Sequence, residues 1–227
     1  MPFVALLGDR CDHPSHHELD ALIPRLENEM GVTAEWVPTD SGFDITAYDG
    51  VWAVPGSPYA DAQAVIEALR SSRERQTPIL GTCAGTQYAV IEFARNVLGT
   101  AATNAEADGE ADDNVISGLA CSLQGQERLV SPVAGTRFAR WCPEPFVGMH
   151  FCSYGPTATA ILALQQVGVI VSATAPDAGA EVLEFPDHPF YVASMFQPHI
   201  GASAGRPIHP LICAFVSTVT ASDQLAA

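Results

Sequence analysis

Lysine is missing from this chain altogether: all ten basic residues are arginine, and they face 26 acidic ones for a net charge of −16. A chain so charged repels phosphate backbones and anionic headgroups, which excludes nucleic acid and membrane surfaces as natural partners. Long apolar runs are missing too. No stretch approaches the roughly 18 residues that a spanning helix needs. The start, Met1-Pro2-Phe3-Val4-Ala5-Leu6-Leu7-Gly8-Asp9, has no basic segment and turns polar early. It reads as a first buried strand rather than a signal peptide, and points to a cytoplasmic protein. The six cysteines (11, 83, 121, 142, 152, 213) form no CxxC pair; scattered in this way they read as small buried hydrophobes, with Cys83 set apart by its context. No internal repeat and no linker-like stretch divides the chain.

What is present suffices for a core. Hydrophobic residues make up 48% of 227, with mean hydropathy +0.15, a size and composition that fit a single domain over 1–227. Short apolar runs alternate with helical patterns. Strands are expected at Phe3–Leu7, Val32–Val37, Gly50–Val54 and Pro78–Gly81. Ser15-His16-His17-Glu18 resembles a capping box opening a helix to about Met30, which Gly31 stops. Further helices are expected from Asp61 to about Arg73 and from Ala84 to Leu98. This βαβα order predicts a parallel sheet covered by helices on both faces. The Ala-, Asp- and Glu-rich stretch 100–113 reads as an exposed loop. Beyond Ala120 strands are expected at Ser122–Val130, Arg137–Trp141, Val167–Ala173, Ala180–Phe185 and Phe190–Met195, with a last helix from His209 to about Thr218.

The chemistry gathers in Ile79-Leu80-Gly81-Thr82-Cys83-Ala84-Gly85-Thr86-Gln87. An apolar strand ends in Gly-x-Cys-x-Gly and a helix follows at once, the spacing of a strand–nucleophile–helix elbow. Glycines leave room for the crossing chain, and the helix N-terminus favours a thiolate and offers N–H groups to an oxyanion.

The residues around this elbow resemble the C-terminal class I glutamine amidotransferase domain of CTP synthase. The run Cys83 to Gly99, with Ile91-Glu92-Phe93-Ala94-Arg95-Asn96-Val97, is similar to that family's elbow and following helix. Tyr48 to Ser57 resembles its oxyanion strand and Pro-Gly-Gly turn, Val182 to Ala193 the hairpin leading to its triad, and His209-Pro210-Leu211 its end. The resemblance spans nearly the whole chain and is weakest in 100–150. It implies a three-layer α/β sandwich of flavodoxin-like type with a mostly parallel central sheet, standing alone without a synthetase half. It assigns Cys83 as nucleophile, Gly56 and Ala84 to the oxyanion site, and Gln87 and Glu106 to the substrate, with no cofactor and no metal.

Two departures limit that assignment. Where the family has Phe-His-Pro-Glu, this chain has Phe196-Gln197-Pro198-His199. Gln197 stands at the base position, where an amide cannot take a proton from a thiol. His199 stands at the orienting position. It either reaches Cys83 directly or through water, or belongs to a decayed triad. The family's Arg-His-Arg-His-Arg-Tyr segment is answered by Met149-His150-Phe151-Cys152-Ser153-Tyr154, without the arginine that helps hold glutamine. His150 reads as a satisfied loop histidine. His13, His16 and His17 read as a solvated helix start rather than a metal site.

Three functions stay open. One is a Cys83-dependent hydrolase or acyl transferase acting on a small amide-like substrate. Another is a binding or regulatory protein whose triad has decayed. The third is a glutaminase subunit serving a separate synthetase. A homodimer is compatible with each.

Overall fold

The computed structural model describes residues 1–176 and 179–226. Among them twelve strands are formed: β1 (Phe3–Leu7), β2 (Thr33–Val37), β3 (Gly50–Ala53), β4 (Ile79–Thr82), β5 (Thr103–Asn104), β6 (Asn114–Gly118), β7 (Gln126–Pro132), β8 (Phe146–His150), β9 (Tyr154–Pro156), β10 (Ile170–Ala175), β11 (Gly179–Glu184) and β12 (Tyr191–Ser194). The helices are α1 (Pro14–Met30), α2 (Ala62–Glu74), α3 (Ala84–Phe93), α4 (Ala105–Asp108), α5 (Arg137–Trp141), α6 (Ala158–Gln166) and α7 (Pro210–Ala226).

Nine strands make one sheet in the order β2-β1-β3-β4-β12-β11-β10-β7-β8. From β2 to β12 every pairing is parallel; from β12 to β8 every pairing is antiparallel. A three-stranded sheet, β5-β6-β9, lies apart. Alternation along β1 shows how the layers arise. Val4 and Leu6 point into a core with Leu19, Leu22 and Leu26 of α1 and Leu211, Ile212 and Phe215 of α7. Ala5 and Leu7 point the other way, among Val65, Ile66 and Leu69 of α2 and Tyr88, Val90 and Ile91 of α3. Period-2 burial on strands and a one-sided stripe on helices give a helix–sheet–helix sandwich.

Several expected elements differ. Helix α1 begins one residue before Ser15, because Pro14 is suited to a first helical position and the His13 ring accepts from Ser15 N–H. Arg137–Trp141 is helical rather than extended. The Thr136 hydroxyl caps it from Ala139 N–H at 3.2 Å, and the Glu184 carboxylate accepts from Phe138 N–H at 2.7 Å, so tertiary capping overrides the local pattern. Ala158–Gln166 forms α6, which the apolar run of that segment disguised. Residues 100–113 are partly ordered as β5 and α4, with Asn104 and Ala105 buried. Helix α3 passes into a π-helical turn, Ala94–Leu98, before Gly99.

Candidate active site

Strand β4 and helix α3 meet at Cys83, whose φ of +53° and ψ of −107° are sparsely populated for any L-residue. The sheet enforces this turn. A Cβ on Gly85 would lie 2.0 Å from the Ala53 carbonyl oxygen, and one on Gly81 would lie 2.9 Å from that of Gly85. Cys83 N–H donates to Ser194 O at 2.8 Å, and the Thr86 hydroxyl donates to the same oxygen at 2.6 Å. Elbow and β12 are thereby locked together. A hydrogen bond from the Cys152 thiol holds the buried Cys83 thiol below its usual range, with the Gln197 amide and Ala84 N–H adding to it; burial and the Glu106 carboxylate oppose them.

Gln197 and His199 follow β12 on the loop beyond Phe196, but His199 does not reach Cys83. Its Nε2 lies 3.0 Å from the Ser15 hydroxyl, which donates in turn to Gln197 Oε1 at 2.5 Å. Since the hydroxyl gives its proton to an oxygen that only accepts, His199 must donate through Nε2–H. Its Nδ1 is buried without a partner. Burial, followed by nearby His16, pushes the His199 pKa down to about 3, with a hydrogen bond to Ser15 working the other way. The ring is therefore neutral and acts as a donor. The Gln197 amide is fixed with its oxygen toward Ser15. Its Nε2, buried without a partner of ordinary hydrogen-bond geometry, is left on the Cys83 side. The chain of contacts runs Cys83, Gln197, Ser15, His199, with Ser15 inserted between the two positions.

The first turn of α1 reaches the same place through His16, which is buried rather than solvated. Its Nδ1 accepts from Cys11 N–H at 2.9 Å, so Nε2 carries the proton and donates to Pro55 O at 2.9 Å. The ring packs against Gly56, whose φ is +125° and where a Cβ would meet His16 Nε2 at 3.1 Å. Pro55-Gly56 is thereby held at the mouth of a cavity of about 410 Å³ lined also by Cys83, Gln87, Glu106, Cys152 and Gln197. Gln87 is fixed by Asn104 Nδ2 at 3.0 Å and by Tyr154 O at 3.2 Å. Glu106 accepts from the Ser57 hydroxyl at 2.5 Å. Among the described residues no arginine lines this cavity. Its other carboxylate, Asp9, is occupied by Thr39 and Ala60.

Cys83, Gly56, Gln87, Glu106 and Gln197 therefore share one cavity with Ala84 at the elbow, while His199 stands behind Gln197. His150 is no loop residue. It ends β8, fully buried, with Nε2 2.9 Å from Glu181 and Nδ1 3.1 Å from Gly148 O. Sequence reasoning missed Ser15, His16, Glu181 and Cys152. Each is brought in by tertiary contact, and only the spacing of Ser15 and His16 on one helical turn hinted at a shared role.

Fold and site together define the class: a doubly covered α/β sheet with a strained cysteine at a strand–helix turn, facing a cavity. The glutamine amidotransferase class-I family model matches residues 18–137, and the chain belongs to that family. It is 34% identical over 207 residues to the CTP synthase of Rubrobacter xylanophilus, covering 83% of this chain and 37% of that protein. With the CTP synthase of Carboxydothermus hydrogenoformans it shares 31% over 222 residues, 92% of this chain and 40% of that one. The chain thus spans well under half the length of these relatives. In fold it is similar to the glutaminase domain of Trypanosoma brucei CTPS solved with bound acivicin, with a TM-score of 0.81 at 19% identity over 97% of this chain and 94% of that one. A glutamine amidotransferase from Thermotoga maritima gives a TM-score of 0.60 at 13% identity, covering 99% and 92%. Among the described residues no helix is long and apolar enough to cross a membrane.

Proposed function

We propose that this chain is a divergent amidotransferase-like protein, a single domain in which Cys83 attacks the acyl carbon of a small substrate, and that it is not a standard glutaminase. One observation carries the reading: Cys83 faces the cavity with donors that favour its thiolate, while the position of a base is filled by an amide. In this reading the thiolate adds to the acyl carbon and the developing oxyanion is met by backbone N–H groups at Ala84 and Gly56. Gln197 holds the thiolate but accepts no proton, and the cavity offers no imidazolium from the family's base position to protonate a leaving amine. A leaving group that departs as a stable anion escapes this penalty. The substrates favoured are therefore thioesters and activated esters over simple amides. Free glutamine is further disfavoured because its carboxylate finds no arginine in the cavity.

The test is a substrate panel. Ammonia release from free glutamine is expected at background, whereas a thioester or nitrophenyl ester should give an acyl adduct on Cys83, seen by intact mass and absent in Cys83→Ala. Gln197→His alone should not restore glutaminase activity, since the orienting carboxylate is still missing and loss of such a group costs on the order of 10⁴ in the best-studied triad. Gln197→His with His199→Glu should restore more. Robust turnover of glutamine by the unaltered protein would sink the reading. The buried, neutral His199 favours a second reading, a binding or regulatory protein with a decayed triad; in that case no acyl donor modifies Cys83. A glutaminase delivering ammonia to a separate synthetase would need the same glutamine turnover, measured with its partner present.

A further inference from the structure

The sulfur of Cys83 has a second sulfur beside it. Cys152, 3% exposed, packs with Cys83, Leu123 and Met195 beneath Leu119, in a cluster apart from the two main cores. Both cysteines line the same cavity, and both are free thiols. Cys152 lies between β8 and β9 on a main chain fixed from two sides: Leu123 N–H donates to Cys152 O at 2.8 Å and Gln124 Nε2 to Phe151 O at 2.8 Å. Cys11 also lines the cavity, but its sulfur lies 3.5 Å from His16 Nδ1 and it takes no part in the Cys83 cluster.

We propose that Cys83 and Cys152 form a redox pair, in which a hydroperoxide entering the cavity oxidises Cys83 and Cys152 closes the product to an intramolecular disulfide. In the first step the Cys83 thiolate attacks one peroxide oxygen. The O–O bond breaks, an S–O bond forms, and the other oxygen leaves as an alcohol or water after taking up a proton. In the second, Cys152 attacks the Cys83 sulfenic acid; the S–O bond breaks, the S–S bond forms, and water leaves with the Cys152 proton. Two thiols and one hydroperoxide thus give a disulfide, an alcohol and water, and a dithiol reductant reverses the change. The division of roles follows from the site. Cys83, at the N-terminus of α3, carries the thiolate character that peroxides seek, and Cys152, buried and packed in the same cluster, is the neighbouring thiol. The disulfide removes Cys83 from any acyl chemistry while sparing it from irreversible oxidation. The inference holds whether or not an acyl substrate is found, because it is read on the thiols themselves.

The test uses the full chain with limiting hydrogen peroxide, followed by alkylation of remaining thiols and digestion with chymotrypsin. Cleavage after the aromatic residues puts each of the six cysteines in its own fragment. The expected product joins the Cys83 fragment to Cys152-Ser153-Tyr154 and disappears with dithiothreitol. In Cys152→Ser, Cys83 should instead be trapped by dimedone and proceed to sulfinic acid, which dithiothreitol does not reverse. Thermal melting of that variant shows whether it is folded; the unaltered protein decides the matter in any case. Sulfinic acid on Cys83 with Cys152 still alkylated, or a Cys83 to Cys11 linkage, would overturn the proposal.

Discussion

The two walls of the Cys83 cavity are built under different rules. The elbow wall is backbone: Gly81, Cys83, Gly85 and Gly56 occupy positions where an added Cβ strikes main chain or a buried ring, or where φ is positive. The facing wall is side chains: Gln197 and Cys152 line the cavity, and behind Gln197 stand Ser15 and His199, joined to it by hydrogen bonds. A backbone wall tolerates almost no substitution, since neither the Ala53 carbonyl nor the sheet that carries it can move. A side-chain wall can be exchanged as a set while the sheet stays in place. The resemblance to the amidotransferase family accordingly holds at the elbow and fails opposite it.

The comparison can be broken first at the elbow. Gly85→Ala should destabilise the fold by more than about 3 kcal/mol, since the new methyl overlaps rigid backbone; chemical denaturation measures this, and a loss below about 1 kcal/mol would show that the backbone wall yields. Next comes the buried imidazole of the facing wall. An unfolded chain protonates His199 near 6.5, whereas the folded ring stays neutral down to about 3. Stability is therefore complete above 6.5 and lost as pH falls through that window, by about 2 kcal/mol at pH 5 from this residue. His188 and His209, each pushed by burial to about 4, act in the same direction. In His199→Asn the slope of stability against pH between about 5 and 6.5 should fall by about one proton; an unchanged slope refutes the assignment.

Smaller effects sharpen the facing wall. Gln197→Leu removes the amide whose unpartnered Nε2 stands on the Cys83 side and favours the thiolate. With that amide gone the thiol pKa should rise. The pH dependence of iodoacetamide labelling at Cys83 reads this directly, and an unmoved profile excludes the amide as a thiolate partner. Ser15→Ala acts only through Gln197 and should shift the same profile in the same direction but by less; a shift as large as that of Gln197→Leu would give Ser15 a direct role.

How much of this was legible in the chain depends on whether the information was local. The elbow was legible because Gly-x-Cys-x-Gly after an apolar strand has few other uses, and the β1 to β4 half because its strands alternate with helices of clear pattern. Arg137–Trp141 was misread because its local Thr136 cap is backed by Glu184, forty-six residues from Phe138. The roles of Gln197 and His199 stayed open because the deciding group is Ser15, whose sequence context suggested nothing more than a helix cap. The pairing of His150 with Glu181, and of Cys83 with Cys152, likewise depends on tertiary contacts that no spacing reveals.

The hydrogen-bonded line from His199 through Ser15 to Gln197 also bears on how such a site can change over generations. Each member is buried and takes its orientation from the next. An imidazole placed at 197 alone meets a hydroxyl already engaged by His199, and a carboxylate placed at 199 alone competes with Gln197 Oε1 for the single Ser15 hydroxyl proton. Either first step strands a polar group at a cost of about 1–3 kcal/mol, more if it is charged. The path between this arrangement and a His-Pro-Glu one therefore crosses a valley from both sides, and the three positions are expected to change together.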